Sequence, residues 1–263
     1  MRMLRYAPLL AGAVAGALYY RERRDRLVLE RLGAATLESL LDAIDANNAE
    51  TGAHARRVAD YALELAIACD ADERLQRSVE RVALFHDIGK IDGAIADIVN
   101  DSAKLTAEER QSMMQHPRRG AEVLRPLAAF YPDLPEGVLS HHERWDGEGY
   151  PRGLRGAAIP IEARIVAIAD TFDAITQSRS YSHARSLRAA TEILSEGRGT
   201  QFDPNLVDLF LSPPVLKHVE KSLKRAKSPR RAHGKRRGKA TNGVPDITFR
   251  WRTPSPLLQR ADR

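Results

Sequence analysis

The chain has 263 residues, of which 43% are hydrophobic and 29% are charged. This balance is typical of a soluble globular protein and excludes a membrane protein with several spans. The single cysteine, Cys69, excludes an intramolecular disulfide framework. The length suits one domain with a sizeable core and terminal appendages.

Charge is distributed unevenly along the chain. The net charge is +4 over residues 1–35, −10 over residues 36–212 and +12 over residues 213–263. An acidic centre between basic ends predicts a cation-binding domain at residues 36–212. The basic ends predict two appendages that could touch anionic surfaces.

The N-terminal segment, residues 1–35, contains an apolar run over residues 7–20 with arginines on both sides. Its 14 residues fall short of the roughly 20 that a membrane-crossing helix needs. Three interpretations stay open for this run: an anchor to the inner membrane, a signal peptide cleaved near Ala15, and the apolar part of a soluble helix.

Residues 36–212 carry the pattern of a compact all-α domain. Apolar residues recur at helical spacing at Val58, Ala62, Leu65 and Ala66. Other helices are predicted to end at His86, to begin at the capping box of Thr106 and Glu109 and to run on to His116, to fill residues 161–175, and to begin at Asp203.

The pair Pro213-Pro214 is predicted to end the compact part, so that residues 213–263 form a basic, low-complexity tail. Residues 221–242 have many charges of one sign and few apolar side chains, which predicts disorder. Such a tail could contact an anionic membrane or a nucleic acid, without recognising a specific sequence.

The pair His86-Asp87 follows an apolar helical stretch, where a carboxylate needs a partner. Burying it unpaired costs several kcal/mol. A metal ion satisfies both side chains, because it accepts a neutral imidazole nitrogen and a carboxylate oxygen. A hydrogen bond within the pair is the simpler explanation when the two residues are considered alone.

Other nitrogen and oxygen donors change this balance. They lie in apolar or helical contexts, at Glu50, His54, His116, His141, His142 and Asp170. Together with the pair they make eight candidate ligands without a cysteine, a set that suits iron, manganese or zinc. So many ligands indicate more than one metal ion, and two adjacent metal ions are an established device for displacement at phosphorus.

Two motifs carry a family resemblance. The sequence HDIGK at residues 86–90, followed by HHERWDGEGYP at residues 141–151, closely resembles the HD-GYP family of the HD superfamily. Family-like features accompany them in order, including His116-Pro117, ADTFDA at residues 169–174 and QFDP at residues 201–204. The resemblance covers about residues 36–212.

The resemblance implies an all-helical fold with two or three metal ions, usually iron or manganese. It also implies hydrolysis of cyclic di-GMP to linear pGpG, in some members onward to GMP. One ion would then be surrounded by His54, His86, Asp87 and Asp170. Asp87 would bridge to a second ion, and the other ligands of that ion would be His116, His141 and His142. Glu50 corresponds to the ligand that allows a third ion.

The expected mechanism follows from the metal ions. They would lower the pKa of a bridging water, so that hydroxide attacks phosphorus in line with the leaving ribose oxygen. Lys90 is assigned to the phosphate or the leaving oxygen, and its simpler role is that of a cation at a helix C-terminus. Substrate contacts are expected from Gly149, Tyr150, Arg179 and Tyr181.

One departure from the family pattern affects the expected phosphate contacts. Where the family commonly has Arg-Pro-Tyr followed by Lys or Arg, this chain has Ser180 and Ser182 around Tyr181. The loss of the second cation predicts weaker phosphate binding, and Arg185 is a candidate substitute.

The leading hypothesis is a cyclic di-GMP phosphodiesterase of the bacterial cytoplasm. One alternative is an HD phosphohydrolase that acts on another cyclic dinucleotide or on a nucleotide. Another is an inactive, metal-containing domain that senses the nucleotide or docks partners. Signalling proteins that bind the loop around Tyr150 are further candidate partners.

Overall fold

The computed structural model describes residues 7–91, 106–177 and 184–227. Within these ranges the secondary structure is helical apart from one isolated bridge between Arg198 and Phe202, so the predicted all-α class is confirmed. The α-helices are α1 (Ala7–Asn47), α2 (Ala49–Ala68), α3 (Glu73–Phe85), α4 (Ala107–Met113), α5 (His116–Leu124), α6 (Asp133–Ser140), α7 (Ile161–Thr176), α8 (Leu187–Glu196), α9 (Pro204–Phe210) and α10 (Pro213–Lys227).

The chain divides into two units. Residues 40–231 form the larger unit, and residues 1–39 with 232–263 form the other. The apolar run at residues 7–20 lies in α1, which continues without a break past the boundary predicted at residue 35. Across the three described ranges, no helix is long and apolar enough to cross a membrane. The membrane-anchor and signal-peptide interpretations stay predictions.

Helix α2 lies at the centre of the larger unit, where it packs against α3, α7, α9 and α10. The apolar residues that predicted this helix, Val58, Ala62, Leu65 and Ala66, are completely buried. Helix α7 confirms the buried helix predicted over residues 161–175. The ring of its Phe172 contacts Tyr61 edge-on, at 5.3 Å between centroids. Helices α2, α3 and α7 also contact one another pairwise, so they share one core.

The chain from residue 106 to residue 124 forms two helices where one was predicted. Thr106 and Glu109 form the expected capping box, but α4 ends at Met113. His116 begins α5, so the prediction that it ends the capping-box helix is wrong. Pro117 explains the restart, because a proline is favoured in the first turn of a helix, where its missing N–H leaves no bond unmade.

Helix α10 extends the compact part beyond the boundary predicted at residue 212. Its first residues are Pro213 and Pro214, which suit a helix N-terminus as well as a chain break. Val215, Val219 and Leu223 are buried, and the helix packs against α2. Residues 213–227 therefore belong with the larger unit, and the remaining part of the predicted basic tail lies outside the described residues.

Candidate metal centre

Two groups of three side chains bring potential metal ligands together in the larger unit. Within each group the donor atoms lie within 4.8 Å of one another. The first donor group consists of His54 on α2, His86 at the end of α3 and Asp170 on α7. The second donor group consists of His116 at the start of α5 with His141 and His142, which follow α6.

Asp87 lies between the two donor groups. Its Oδ2 atom is 3.5 Å from Nε2 of His86 and 3.8 Å from Nε2 of His54. Its Oδ1 atom is 3.4 Å from Nε2 of His116. Each oxygen of this one carboxylate therefore faces a different donor group.

Lys90 turns back onto Asp87 through a short 3₁₀ helix, Ile88–Lys90. Its Nζ atom lies 2.8 Å from both carboxylate oxygens. Gly89 allows this turn to lie on α5, because a Cβ atom at residue 89 would be only 2.1 Å from the carbonyl oxygen of His116. The ammonium group of Lys90 therefore lies beside Asp87, the residue between the donor groups. It is brought there by the 3₁₀ turn, since α3 ends at Phe85.

Four of the histidines are oriented through Nδ1. For three of them the partner is a backbone carbonyl three residues earlier: Ala83 for His86 at 2.8 Å, Met113 for His116 at 2.7 Å and Val138 for His141 at 2.6 Å. For His54 it is the carboxylate of Asp173, at 2.7 Å. A carbonyl oxygen only accepts, so in the first three rings Nδ1 donates and Nε2 presents its lone pair to the centre.

The unpaired nitrogens of the centre fit a metal ion. Nε2 of His86 is buried and has no hydrogen-bond partner within the described part of the chain, and Nε2 of His54 lies 3.3 Å from Oδ1 of Asp170. Nε2 of His116 and Nε2 of His141 lie 3.1 Å apart, although both present lone pairs. Buried acceptors that face each other are unfavourable without a cation. Imidazole and carboxylate donors without thiolate suit a divalent ion such as iron, manganese or zinc.

The second donor group is neutral at physiological pH. Burial, reinforced by the charge of Lys90, lowers the pKa of His116 to about 3. Burial likewise lowers the pKa of His142 to about 4. Burial and the neighbouring imidazoles hold the pKa of His141 well below its usual range. These rings are therefore ready to bind a cation without first losing a proton.

In the first donor group a proton is favoured on His54 and disfavoured on Asp170. Burial opposes protonation of His54, but hydrogen bonds with Asp170 and Asp173 raise its pKa to about 9. Burial also opposes ionisation of Asp170, yet the neighbouring His54 and His86 hold the pKa of its carboxyl well below the usual value. A metal ion at this group would therefore compete with a proton on His54.

Two residues of the centre had no role in the predicted ligand set. Asp173 is fully buried and accepts hydrogen bonds from Arg57, at 2.7 Å from Nε and 2.9 Å from Nη2, as well as contacting His54. The signal was its position three residues after Asp170, on the same face of α7. Glu143 is buried directly after the His141-His142 pair, and no periodicity in its neighbourhood pointed to a role for it.

The loop at residues 147–154 lies against the second donor group. Glu143 accepts hydrogen bonds from the backbone N–H groups of Arg152 at 2.8 Å and Leu154 at 2.9 Å. Residue 149 must be glycine because the loop backbone lies close to the backbone of Arg144. A Cβ atom at residue 149 would be 2.3 Å from the backbone nitrogen of Arg144. The ring of Tyr150 stacks on His142, and the Tyr150-Pro151 peptide bond is cis.

The remaining predicted site residues lie elsewhere. Glu50 is in the first turn of α2, one turn before His54; its side chain is exposed, and neither donor group includes it among the described residues. Arg179 and Tyr181 lie outside the described residues, as do Ser180 and Ser182. Arg185 is described and exposed.

Similar proteins are known. The chain is 42% identical over 178 residues to the cyclic di-GMP phosphodiesterase response regulator RpfG of Xanthomonas campestris pv. campestris, which covers 67% of this chain and 47% of that protein. It is 39% identical over 175 residues to the 3'3'-cGAMP-specific phosphodiesterase 2 of Vibrio cholerae, with 66% and 33% covered. The chain thus spans less than half the length of these two relatives.

Solved structures share the fold. A cyclic GMP-AMP specific phosphodiesterase of V. cholerae matches with a TM-score of 0.53 and 23% identity over 73% of this chain and 52% of that chain. An HDGYP protein of Bdellovibrio bacteriovorus matches with a TM-score of 0.52 and 17% identity, over 74% and 62%. The family profile described as HD domain matches residues 38–206. The chain therefore belongs to the HD domain family, and the HD-GYP membership expected from its motifs is confirmed.

Proposed function

We propose that the chain is a metal-dependent phosphodiesterase that hydrolyses cyclic di-GMP. The observation that carries the proposal is the position of Asp87, with one carboxylate oxygen toward each donor group. A shared carboxylate between two sets of nitrogen and oxygen donors is suited to two adjacent metal ions, for which iron and manganese are the proposed identities. The 42% identical relative named as a cyclic di-GMP phosphodiesterase supports the substrate.

In this proposal the two donor groups each hold one metal ion, and Asp87 is a ligand of both. Glu50 is proposed as the ligand of a third ion. When bound, the ions would lower the pKa of a water molecule and neutralise charge on the phosphoryl group. The protein's own part is to keep the carboxylate ligands ionised and the histidine ligands oriented. Lys90 and the nearby histidines hold the pKa of Asp87 well below its usual value although burial opposes ionisation.

Lys90 is the proposed contact to the reacting phosphate. Its Nζ atom lies beside Asp87, and its side chain is 23% exposed, so one N–H can point away from the carboxylate. There it would donate to a phosphoryl oxygen or to the leaving ribose oxygen. Gly149, Tyr150, Arg179 and Tyr181 are proposed as further substrate contacts, and linear pGpG and then GMP as products.

Cyclic GMP-AMP is a second candidate substrate. A relative named as specific for 3'3'-cGAMP is 39% identical to this chain, against 42% for the relative named for cyclic di-GMP. The donor groups act on the phosphodiester, which both nucleotides share, so discrimination depends on contacts to the second base. Turnover of both nucleotides must therefore be compared side by side.

The test is hydrolysis by the purified full-length chain loaded with Mn²⁺ or, without oxygen, with Fe²⁺. Cyclic di-GMP and 3'3'-cGAMP are supplied separately, and products are separated by chromatography. Wild-type protein is expected to release pGpG, and a His86→Ala, Asp87→Ala double variant is expected to release none. Nucleotide binding without turnover by the loaded wild type would refute the enzyme and favour a nucleotide sensor.

The location and the other partners are separate proposals. We place the enzyme in the cytoplasm, with the basic residues beyond 227 contacting anionic surfaces and the loop around Tyr150 contacting signalling proteins. The alternative is a cytoplasmic enzyme anchored to the inner membrane by the N-terminal segment. Cell fractionation tests it, since recovery only in the membrane pellet supports the anchor and recovery only in the soluble fraction rules it out. A truncation after Lys227 keeps α10 on α2 and tests the basic residues, and unchanged hydrolysis is expected.

A further inference from the structure

His142 is held differently from the other histidines of the centre. In His54, His86, His116 and His141 a hydrogen bond at Nδ1 sets the orientation of the ring. Neither ring nitrogen of His142 forms a hydrogen bond to any residue of the described ranges. A metal-bound histidine usually has such a bond, since it fixes the tautomer and the direction of the other nitrogen. Something else must orient this ring.

The ring of Tyr150 lies face to face with His142. It stacks on His142 with 4.9 Å between centroids and 26° between planes. The other rings around His142 meet it at larger angles: His141 at 43° and His116 at 84°. A stacked aromatic face restricts rotation of the imidazole about its side-chain torsions without using a ring nitrogen. Stacking thus leaves both nitrogens of His142 available.

Tyr150 can set an orientation because its own backbone is fixed. Its N–H donates to the carbonyl oxygen of His142 at 3.2 Å. On one side Gly149 lies against the backbone of residues 143 and 144. On the other side the carbonyl oxygen of Pro151 accepts from Nη2 of Arg118 on α5, at 3.1 Å. The backbone that carries the phenol ring is therefore attached both to α5 and to the segment that follows α6, which supply the second donor group.

We propose that Tyr150 is a positioning residue for His142, and that the face of its ring sets the direction in which His142 presents a nitrogen to the second metal ion. This inference rests on the proposed function, which makes His142 a metal ligand. It assigns the orientation of His142 to the aromatic ring of Tyr150 and not to its hydroxyl group. Phenylalanine should therefore replace tyrosine, and an aliphatic side chain should not.

The test measures metal binding in the absence of substrate. Full-length wild type, Tyr150→Phe, Tyr150→Leu and Tyr150→Met are titrated with Mn²⁺, and free Mn²⁺ is followed by electron paramagnetic resonance. His54→Ala and His142→Ala identify which binding step belongs to which donor group. Tyr131→Leu is the matched control, because Tyr131 packs under the guanidinium of Arg81 at 4.6 Å and belongs to neither group.

Tyr150→Leu and Tyr150→Met are expected to lower Mn²⁺ affinity at the second donor group by about tenfold or more. This is the usual effect of removing a partner that orients a metal ligand. In these two variants Mn²⁺ affinity at the first donor group should stay close to that of the wild type. In Tyr150→Phe and Tyr131→Leu the affinities at both groups should stay close to it. Methionine fills the space of the ring, so two aliphatic variants guard against a failure of one to fold. Equal weakening of both steps, wild-type binding by both aliphatic variants, or a phenylalanine variant as weak as leucine would overturn the inference. A wild-type protein that binds no Mn²⁺ would instead refute the proposed function.

Discussion

The two donor groups lie on either side of Asp87 and differ in the carboxylates that they contain. The first contains a carboxylate, Asp170, and is supported from behind by a second, Asp173. The second consists of three imidazoles, and Asp87 is the carboxylate that faces it. A divalent ion at the first group meets its counter-charges in place, whereas an ion at the second depends on the shared residue. The first half of the centre thus has carboxylates of its own, whereas the second half has only the shared one.

The groups also differ in how the chain assembles them. The first is drawn from α2, α3 and α7, and its members are separated by up to 116 residues. The second is built mainly from turns, at the start of α5 and directly after α6, and carbonyls three residues earlier orient two of its rings. The geometry of the first group therefore depends on core packing, and that of the second on local backbone structure and on the Tyr150 loop.

The largest expected effect comes from removing the shared carboxylate. Asp87→Ala should lower turnover of the metal-loaded enzyme by about a thousandfold or more, since metal ions supply several kcal/mol of charge stabilisation. Mn²⁺ affinity should fall more at the second donor group, which has no carboxylate of its own. Asp208→Ala removes an exposed aspartate paired with Arg198 and serves as the control. Equal losses of Mn²⁺ affinity at both groups would contradict the stronger dependence of the second group on Asp87.

Lys90→Gln should separate metal binding from chemistry. The variant keeps the ligands but loses the ammonium group beside Asp87, so turnover should fall about a hundredfold, as for loss of one preorganised donor. Mn²⁺ binding should be unchanged or tighter, because a competing positive charge is gone. Lys224→Gln, which breaks an exposed pair with Glu220, is the control. A parallel loss of Mn²⁺ would show that Lys90 supports the ligands instead of contacting substrate.

The sequence predicted the helical class and offered the candidate ligands, because histidines and carboxylates stand out against apolar helical stretches; their division between two ions came only from the family resemblance. It did not show the second carboxylate behind His54. That carboxylate, Asp173, lies 119 residues from His54 along the chain and contacts it only after α2 and α7 pack. The restart of the helix at His116 and the extension through α10 were missed for a related reason. Proline marks both the end of one element and the start of the next, and only tertiary contacts decide between them.

The two halves should respond differently to pH. At the first group Mn²⁺ must displace the proton of His54, whose pKa is raised to about 9, so affinity should rise roughly tenfold per unit between pH 6 and 8.5. At the second group the pKa values of His116 and His142, about 3 and about 4, lie below this window, so affinity should stay level. Mn²⁺ titrations of the variants His142→Ala and His54→Ala, each of which leaves one group, measure the two slopes. Parallel slopes would contradict the difference.

The smallest expected effect isolates the charge behind His54. Asp173→Asn keeps an oxygen to accept from Nδ1 but removes the negative charge, so Mn²⁺ affinity at the first group should fall about tenfold at pH 8.5. The pH dependence should move to lower pH, because the pKa of His54 is no longer raised by this carboxylate. The second group should not respond.

The matched control for this substitution is Asp203→Asn. Asp203 is also buried and accepts from an arginine, Arg164, at 2.7 Å, but it caps α9 and belongs to neither donor group. Both substitutions weaken a buried aspartate–arginine pair, so both should lower the thermal stability of the fold. Only Asp173→Asn should change Mn²⁺ binding. Asp203→Asn could lower Mn²⁺ affinity at the first donor group as much as Asp173→Asn does. That result would show that this affinity follows the stability of the core and that the charge of Asp173 has no separate effect on His54.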